Sequence, residues 1–194
     1  MIEVNYSPEE RLRQGDIISN IDYIQKLEEI IEGPEGNLEI TIIDFPLVII
    51  LTQDCDLDRD FKNRHSTESI LDDDKKLISA LVAPVYNSEQ FFEGSHLEYI
   101  GRKMQRINSK RRQILKKNET PRYHYLEFPP ESSIANSVID FKHYFSMNIE
   151  HLEQIKKDHF ECQVKELYRE DISHRFVSYL SRIGLPEISC SPSR

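Results

Sequence analysis

Phe45-Pro46-Leu47-Val48-Ile49-Ile50-Leu51 is the stretch whose reading decides the fold class. From Pro46 to Thr52 the run is short, continuously apolar and rich in β-branched residues, so it reads as a buried central strand. Pro46 suits the first position of such a strand, where no ladder donor is lost. Just upstream, Leu38 to Ile43 alternates with period two and reads as a half-buried strand. Leu77 to Val85 reads as another buried strand, and Gln14-Gly15-Asp16-Ile17-Ile18 as a short strand leaving a turn. Ile21 to Ile31 fits a helix and a strand equally, and Gly33-Pro34-Glu35-Gly36 is a turn. Asp54 to Asp74 reads as a long polar loop.

After Gly94 the pattern changes. Ile100, Met104, Ile107, Ile114 and Leu115 have helical spacing, which predicts a helix over 94–117 ended by Asn118 and Pro121. Tyr123 to Phe128 and Val138 to Met147 read as strands. Asn148 opens a helix containing Leu152 and Ile155. A last helix runs from Tyr168 to Ile183, with Gly184 as its C-terminal cap. The fold class is therefore α+β, with a β-rich part over 1–93 and a helix-rich extension over 94–194 packed on it.

The 194 residues carry 25 Lys+Arg and 34 Asp+Glu, a net charge of −9, with 6 Gly, 9 Pro and 3 Cys. Those Gly and Pro counts exclude collagen-like and low-complexity classes. Cys55, Cys162 and Cys190 are odd in number and irregularly spaced, so they form no disulfide framework. The apolar run of seven is far short of the roughly 20 residues of a spanning helix, so no membrane partner is expected. Met1 to Asn5 is acidic and lacks an apolar signal core, which places the chain in the cytoplasm. Residues 1–100 hold 8 basic and 22 acidic side chains, and residues 101–194 hold 17 and 12. An acidic half joined to a basic half means an internal dock or a basic face for an anionic partner.

Asp54-Cys55-Asp56-Leu57-Asp58-Arg59-Asp60 is the densest acidic cluster. Arg59 and His65 break the calcium-loop template at its Gly and closing Glu. The open readings are a divalent metal held by Asp54 and Asp56, a strand-end turn with Cys55 facing the core, and a Cys55 nucleophile served by His65, His96 or His124. Flanking carboxylates raise a thiol pKa and disfavour the last. No cofactor other than such a metal is indicated.

Nine basic residues lie between 101 and 122 and are followed by Tyr123, His124 and Tyr125. Lys103, Arg106, Lys110, Arg111 and Arg112 are the residues expected to bind phosphates of a nucleic acid or carboxylates of a partner protein. The alternative is a solvated helix face docked on the acidic half. Glu170 and His174 are spaced i, i+4, which suits either an acid/base pair or a surface ion pair. Phosphate-loop, dinucleotide, zincin and α/β-hydrolase motifs are missing from the sequence.

Three segments in order, Gly15-Asp16-Ile17, Pro46 to Asp54 and Ile78 to Pro84, resemble the PemK/MazF family of bacterial toxins over residues 10–86. The resemblance implies an SH3-like β-barrel, homodimerisation and a place in a toxin–antitoxin or phage-defence system, with a protein partner from the same operon. Phe45 stands where that family carries its catalytic Arg, and Pro84 where it carries a hydroxyl residue. Phe lacks both the charge and the donor fork. The resemblance therefore implies a degenerate, non-catalytic barrel that binds nucleic acid or a partner. The alternatives are a metal-dependent nuclease using Asp54 and Asp56, and a purely structural subunit. Strings such as Thr52 to Leu57 and Arg182 to Pro186 are also similar to uncharacterised bacterial proteins, some encoded near phage-defence genes.

Overall fold

The computed structural model describes residues 1–30, 37–66 and 72–182, without the side chains of 28–30 and 37–38. The chain is α+β, a curled antiparallel half-barrel sheet with five α-helices among the described residues. The strands are β1 (Val4–Asn5), β2 (Asp16–Ile30), β3 (Asn37–Ile50), β4 (Ser79–Asn87), β5 (Tyr123–Leu126), β6 (Ser137–Asp140), β7 (Phe145–Asn148) and β8 (Phe160–Val164). The helices are α1 (Asp54–Arg64), α2 (Ser88–Glu93), α3 (Ser109–Lys116), α4 (Ile149–His159) and α5 (Glu166–Leu180). Strand order is β1-β8-β2-β3-β4-β6-β5, with β7 also on β4. Strands from both halves of the chain therefore pair in one sheet, and β8 sits between β1 and β2.

Both faces of the central strands are covered, which is why β3 and β4 are so apolar. Ile49, Ala83 and Val85 meet Phe141, Ile172 and Phe176 on the α5 side. Val48, Ile50 and Val82 meet Leu57, Ile149 and Leu152 on the α1 and α4 side. A third cluster gathers Tyr86, Phe91, Phe92, Leu97, Leu115, Tyr125 and Val138 beneath α2 and α3. Among the described residues no helix is long and apolar enough to cross a membrane.

Several elements differ from the sequence reading. The two strands expected over 38–43 and 46–52 are one strand, β3, and Pro46 lies inside it. It sits between the Phe45↔Ile21 and Leu47↔Ser19 pairs, opposite Asn20, whose φ is 56°. The lost donor falls at that local irregularity rather than in a regular ladder. The ambiguous segment after Ile21 is strand, and the ambiguity has a cause. Its register shifts between Ile24 and Lys26, so one extra residue breaks the period-two pattern.

The expected loop after Asp54 is largely helix α1. Its inner face is polar: only Leu57, Asp60 and Asn63 are buried. Asp60 accepts from the Leu77 backbone N–H at 2.8 Å and from Arg64 Nε at 2.7 Å. Asn63 exchanges hydrogen bonds with the Asp72 backbone at 2.9 and 3.1 Å. Arg64 in turn grips Glu153 of α4 through both terminal nitrogens. Polar contacts of this kind leave no apolar period to read. Conversely, the long helix expected over 94–117 shrinks to α3. The segment 102–107 is neither helix nor strand, and its Met104 and Ile107 N–H groups donate to Gly94 and Phe92 at the end of α2. The cap expected at Gly184 lies outside the described residues, as does Cys190.

A candidate anion-binding cavity under helix α3

The site begins with two turns that the sequence makes tight. Asn87 caps α2 by accepting from the Glu89 and Gln90 N–H groups at 3.0 and 3.3 Å. Gly94 ends α2 in the left-handed region at φ 81°. A Cβ built on Gly94 would lie 2.2 Å from the Met104 carbonyl oxygen, so only glycine lets the two backbones meet. Met104 N–H then donates to Gly94 O at 3.0 Å, and Ile107 N–H to Phe92 O at 2.8 Å. This strap carries Arg106 across the mouth of a cavity and leads into α3, which is capped by Asn108 on the Arg111 N–H. Asn118, at φ 57°, clamps both backbone groups of Tyr125 and so turns α3 into β5.

The cavity is open on one side and has a volume of about 530 Å³. Arg106, Arg111 and Arg122 line it together with Phe91, His96, Met104, Ile107, Ile114, Leu115, Tyr123 and Asp140. Its floor is a polar chain. Asp140 is fully buried and accepts from Arg122 Nε at 2.8 Å, from Arg122 Nη2, and from the Lys142 N–H at 3.0 Å. His143 Nδ1 lies 3.6 Å from the same carboxylate and 3.0 Å from the Tyr86 hydroxyl. The Tyr86 ring packs on His96 with centroids 4.7 Å apart, and Phe91 packs on the same imidazole at 4.5 Å. Arg122 lies over the Tyr123 ring at 4.9 Å.

His96 is 6% exposed, and neither ring nitrogen makes a hydrogen bond to the protein. The nearby Gln90 carbonyl, which favours a charged ring, is already taken by Ser95 N–H and Oγ. Burial, aided by His143, lowers the His96 pKa to about 4. At neutral pH the imidazole is uncharged and offers one donor and one acceptor. It also lines a second cavity of about 720 Å³ with Asp44, Tyr86, Tyr99 and Glu161, so it stands in the wall between the two.

The expected binding residues separate here. Arg106 and Arg111 line the cavity. Arg112 lies over Phe92 at 5.0 Å and donates to the Ile107 carbonyl, so it holds the strap. Lys103 and Lys110 are exposed outside the cavity, and the expected single helical stripe does not form. The residues that complete the site and lay outside the expected set are His96, Arg122, Tyr123, Asp140 and, beneath them, Tyr86 and His143. Arg122 and Tyr123 were legible as the end of the basic run. The histidines and Asp140 carry no spacing signal.

The structure does not bring Asp54 and Asp56 together. They are two apart on α1 and point to different sides of the helix. Arg11 holds Asp54 with two hydrogen bonds at 3.1 and 2.9 Å, with Arg13 Nε at 3.6 Å and Arg169 Nη1 at 3.9 Å. Burial pushes the Asp54 pKa up, but Arg11, Arg13 and Arg169 together outweigh it and hold the carboxyl below its ordinary range. This ion-pair cluster ties the N-terminal turn to α1 and α5. Cys55 is exposed, in contrast to the core-facing orientation expected of a strand-end turn. Among the described residues no group of three or more His, Cys, Asp or Glu is placed to hold a metal ion. No protein-family model matches the chain, and no curated protein matches it.

Three neutral histidines make a pH prediction. Burial lowers His96 to about 4 and, aided by Arg175, His124 to about 3; His143 is also lowered by burial. Their stability contribution is complete above their ordinary 6.5 and is lost as pH falls toward the folded values. Asp16 opposes this. Burial, only partly countered by Lys156, raises it to about 6, so its contribution grows as pH falls from 6 toward 3.8. The histidines outweigh it, and urea unfolding should show a net loss of about 3 kcal/mol from pH 7 to 4.5. His124→Asn should remove most of that slope, because the His96 loss and the Asp16 gain nearly cancel; a flat wild-type profile would contradict the assignment.

Proposed function

We propose that the protein is a non-catalytic binding module for single-stranded nucleic acid. Successive backbone phosphates lie along Arg106, Arg111 and Arg122, and a base lies against Tyr123 and the apolar wall of Met104 and Ile114. One observation carries this reading: three guanidinium groups line one cavity whose only carboxylate among the described residues, Asp140, is already neutralised by one of them. Arg122 spends Nε and Nη2 on Asp140 and keeps Nη1 for a ligand. Fork-shaped donors suit phosphate oxygens, and aromatic walls suit unstacked bases. His96 adds a neutral donor and acceptor for a base edge. The setting is that of a degenerate PemK/MazF-like barrel in a bacterial toxin–antitoxin or phage-defence system. Phe45, buried and stacked on Phe145 at 5.2 Å, supports binding without cleavage, because it leaves the family's arginine position without a cation.

The test is fluorescence anisotropy with a labelled ten-nucleotide single-stranded RNA and its DNA counterpart at 50 and 200 mM salt. Affinity should fall with a log–log slope of about −2, as expected for two to three neutralised phosphates on a single strand. The double variant Arg106→Glu, Arg111→Glu should bind about 100-fold more weakly with an unchanged melting temperature, since both residues are exposed. Unchanged affinity in the double variant, or wild-type affinity indifferent to salt, would remove the reading.

A further inference from the structure

The β2–β3 hairpin extends well past the sheet. Strand β8 pairs with β2 only over 16–18, and β4 with β3 only over 48–50. Among the described residues, the two strands pair only with each other from Tyr23 outward. A bare two-stranded ribbon is marginal in water and is expected to be polar on both faces. This one is not. Ile24, Leu27, Ile40 and Ile42 are 56, 59, 45 and 51% exposed.

The register decides where they lie. Ile24 pairs with Ile42, and Leu27 with Ile40. Ile40 and Ile42 are two apart and share a face. Ile24 and Leu27 are three apart and would fall on opposite faces of a regular strand. The extra residue between Ile24 and Lys26 removes that mismatch, so all four apolar side chains share one face. Nearer the sheet the buried side is the other face, with Ile21, Ile43 and Phe45. The apolar side thus switches across the ribbon at the bulge, and the outer patch cannot be an overrun of the core.

The surroundings select the occupant. Asp22 and Asp44 pair with one another on the same face as the patch, and both are exposed. Glu29 holds the corresponding register position beyond Leu27. Between Asn20 and Asp44 the sequence has seven acidic residues and one lysine. Two copies placed patch to patch would juxtapose these carboxylates, and like charges across an interface are unfavourable. We infer that this face docks a polypeptide segment of a partner protein that carries an apolar stripe flanked by Lys or Arg. The bulge is then a recognition device, since it builds the patch beside the Asp22 and Asp44 carboxylates. This surface is separate from the cavity under α3.

The chain has no Trp, so a Trp-bearing probe reports without background. The probe is a ten-residue peptide of alternating Ile and Lys with one central Trp, and the control replaces every Lys by Glu. The full-length protein should blue-shift the emission of the Lys peptide, with affinity falling about tenfold from 50 to 200 mM salt. Ile24→Ser with Ile42→Ser should weaken binding at least tenfold while leaving oligonucleotide binding intact. Asp22→Asn with Asp44→Asn should remove most of the salt dependence. No shift with wild type, an equal shift with the Ser variant, or equal binding of the Glu peptide would each overturn the proposal. So would sedimentation showing a wild-type dimer that the Ser variant abolishes, because a second copy would then be the occupant.

Discussion

Asp140→Ala is expected to cost about 3 kcal/mol, the range seen when one partner of a buried pair is removed. The carboxylate is fully buried and takes two hydrogen bonds from Arg122 and one from the Lys142 N–H. Its loss strands a half-buried guanidinium, and a 3₁₀ turn over Phe141–His143 loses its cap. That turn separates β6 from β7, which both pair with β4, so the damage reaches the sheet as well as the cavity floor. For a chain of this length about 3 kcal/mol corresponds to a fall in melting temperature of about 6–12 °C. Asp140→Asn keeps the volume and the cap acceptor and should lose about half as much. Thermal and urea unfolding of the two variants checks this. A loss below about 0.5 kcal/mol in the alanine variant would show that Arg122 is held by other means.

Gly94→Ala should be as severe, and it has an internal control. Gly94 and Gly101 both have positive φ, 81° and 74°. Alanine pays the left-handed penalty of about 1–2 kcal/mol at either. Only at Gly94 does the new methyl meet backbone, at 2.2 Å from Met104 O; nothing lies within 4 Å at Gly101. Gly94→Ala should therefore lose at least about 3 kcal/mol and Gly101→Ala about 1 kcal/mol. Because the strap over 104–107 carries Arg106, Gly94→Ala should also weaken oligonucleotide binding, measured at a temperature where the variant is folded. Equal losses at the two glycines would mean that the close approach contributes nothing.

The buried strands were legible because burial on both faces leaves a plain record. Residues 48–51 and 80–85 must be apolar to sit between two helical layers, and they are, whereas Pro46 and Ile78 at the edges of the expected runs are exposed. Asn148 before Ile149 and the Ile172/Phe176 face were legible for the same reason: capping chemistry and apolar spacing are local. The β2–β3 ribbon was half-legible. Its pattern fits neither period because a bulge adds one residue at Gln25, and a bulge is defined by the partner strand. Helix α1 was illegible because Asp60, Asn63 and Arg64 dock by hydrogen bonds to Leu77, Asp72 and Glu153, partners 9 to 89 residues away.

The site divides in the same way. By itself the sequence established the α+β class, the acidic and basic halves and a basic run that includes Arg106, Arg111 and Arg122. Each of these rests on composition or local spacing. Only the tertiary structure could place His96, 26 residues from Arg122, in one cavity with Asp140, and turn Arg112 away from it. That convergence depends on Gly94 meeting Met104 and on β6 lying between β4 and β5. Contacts between segments distant in the chain have no period in the sequence, so the cavity was invisible until the sheet had folded.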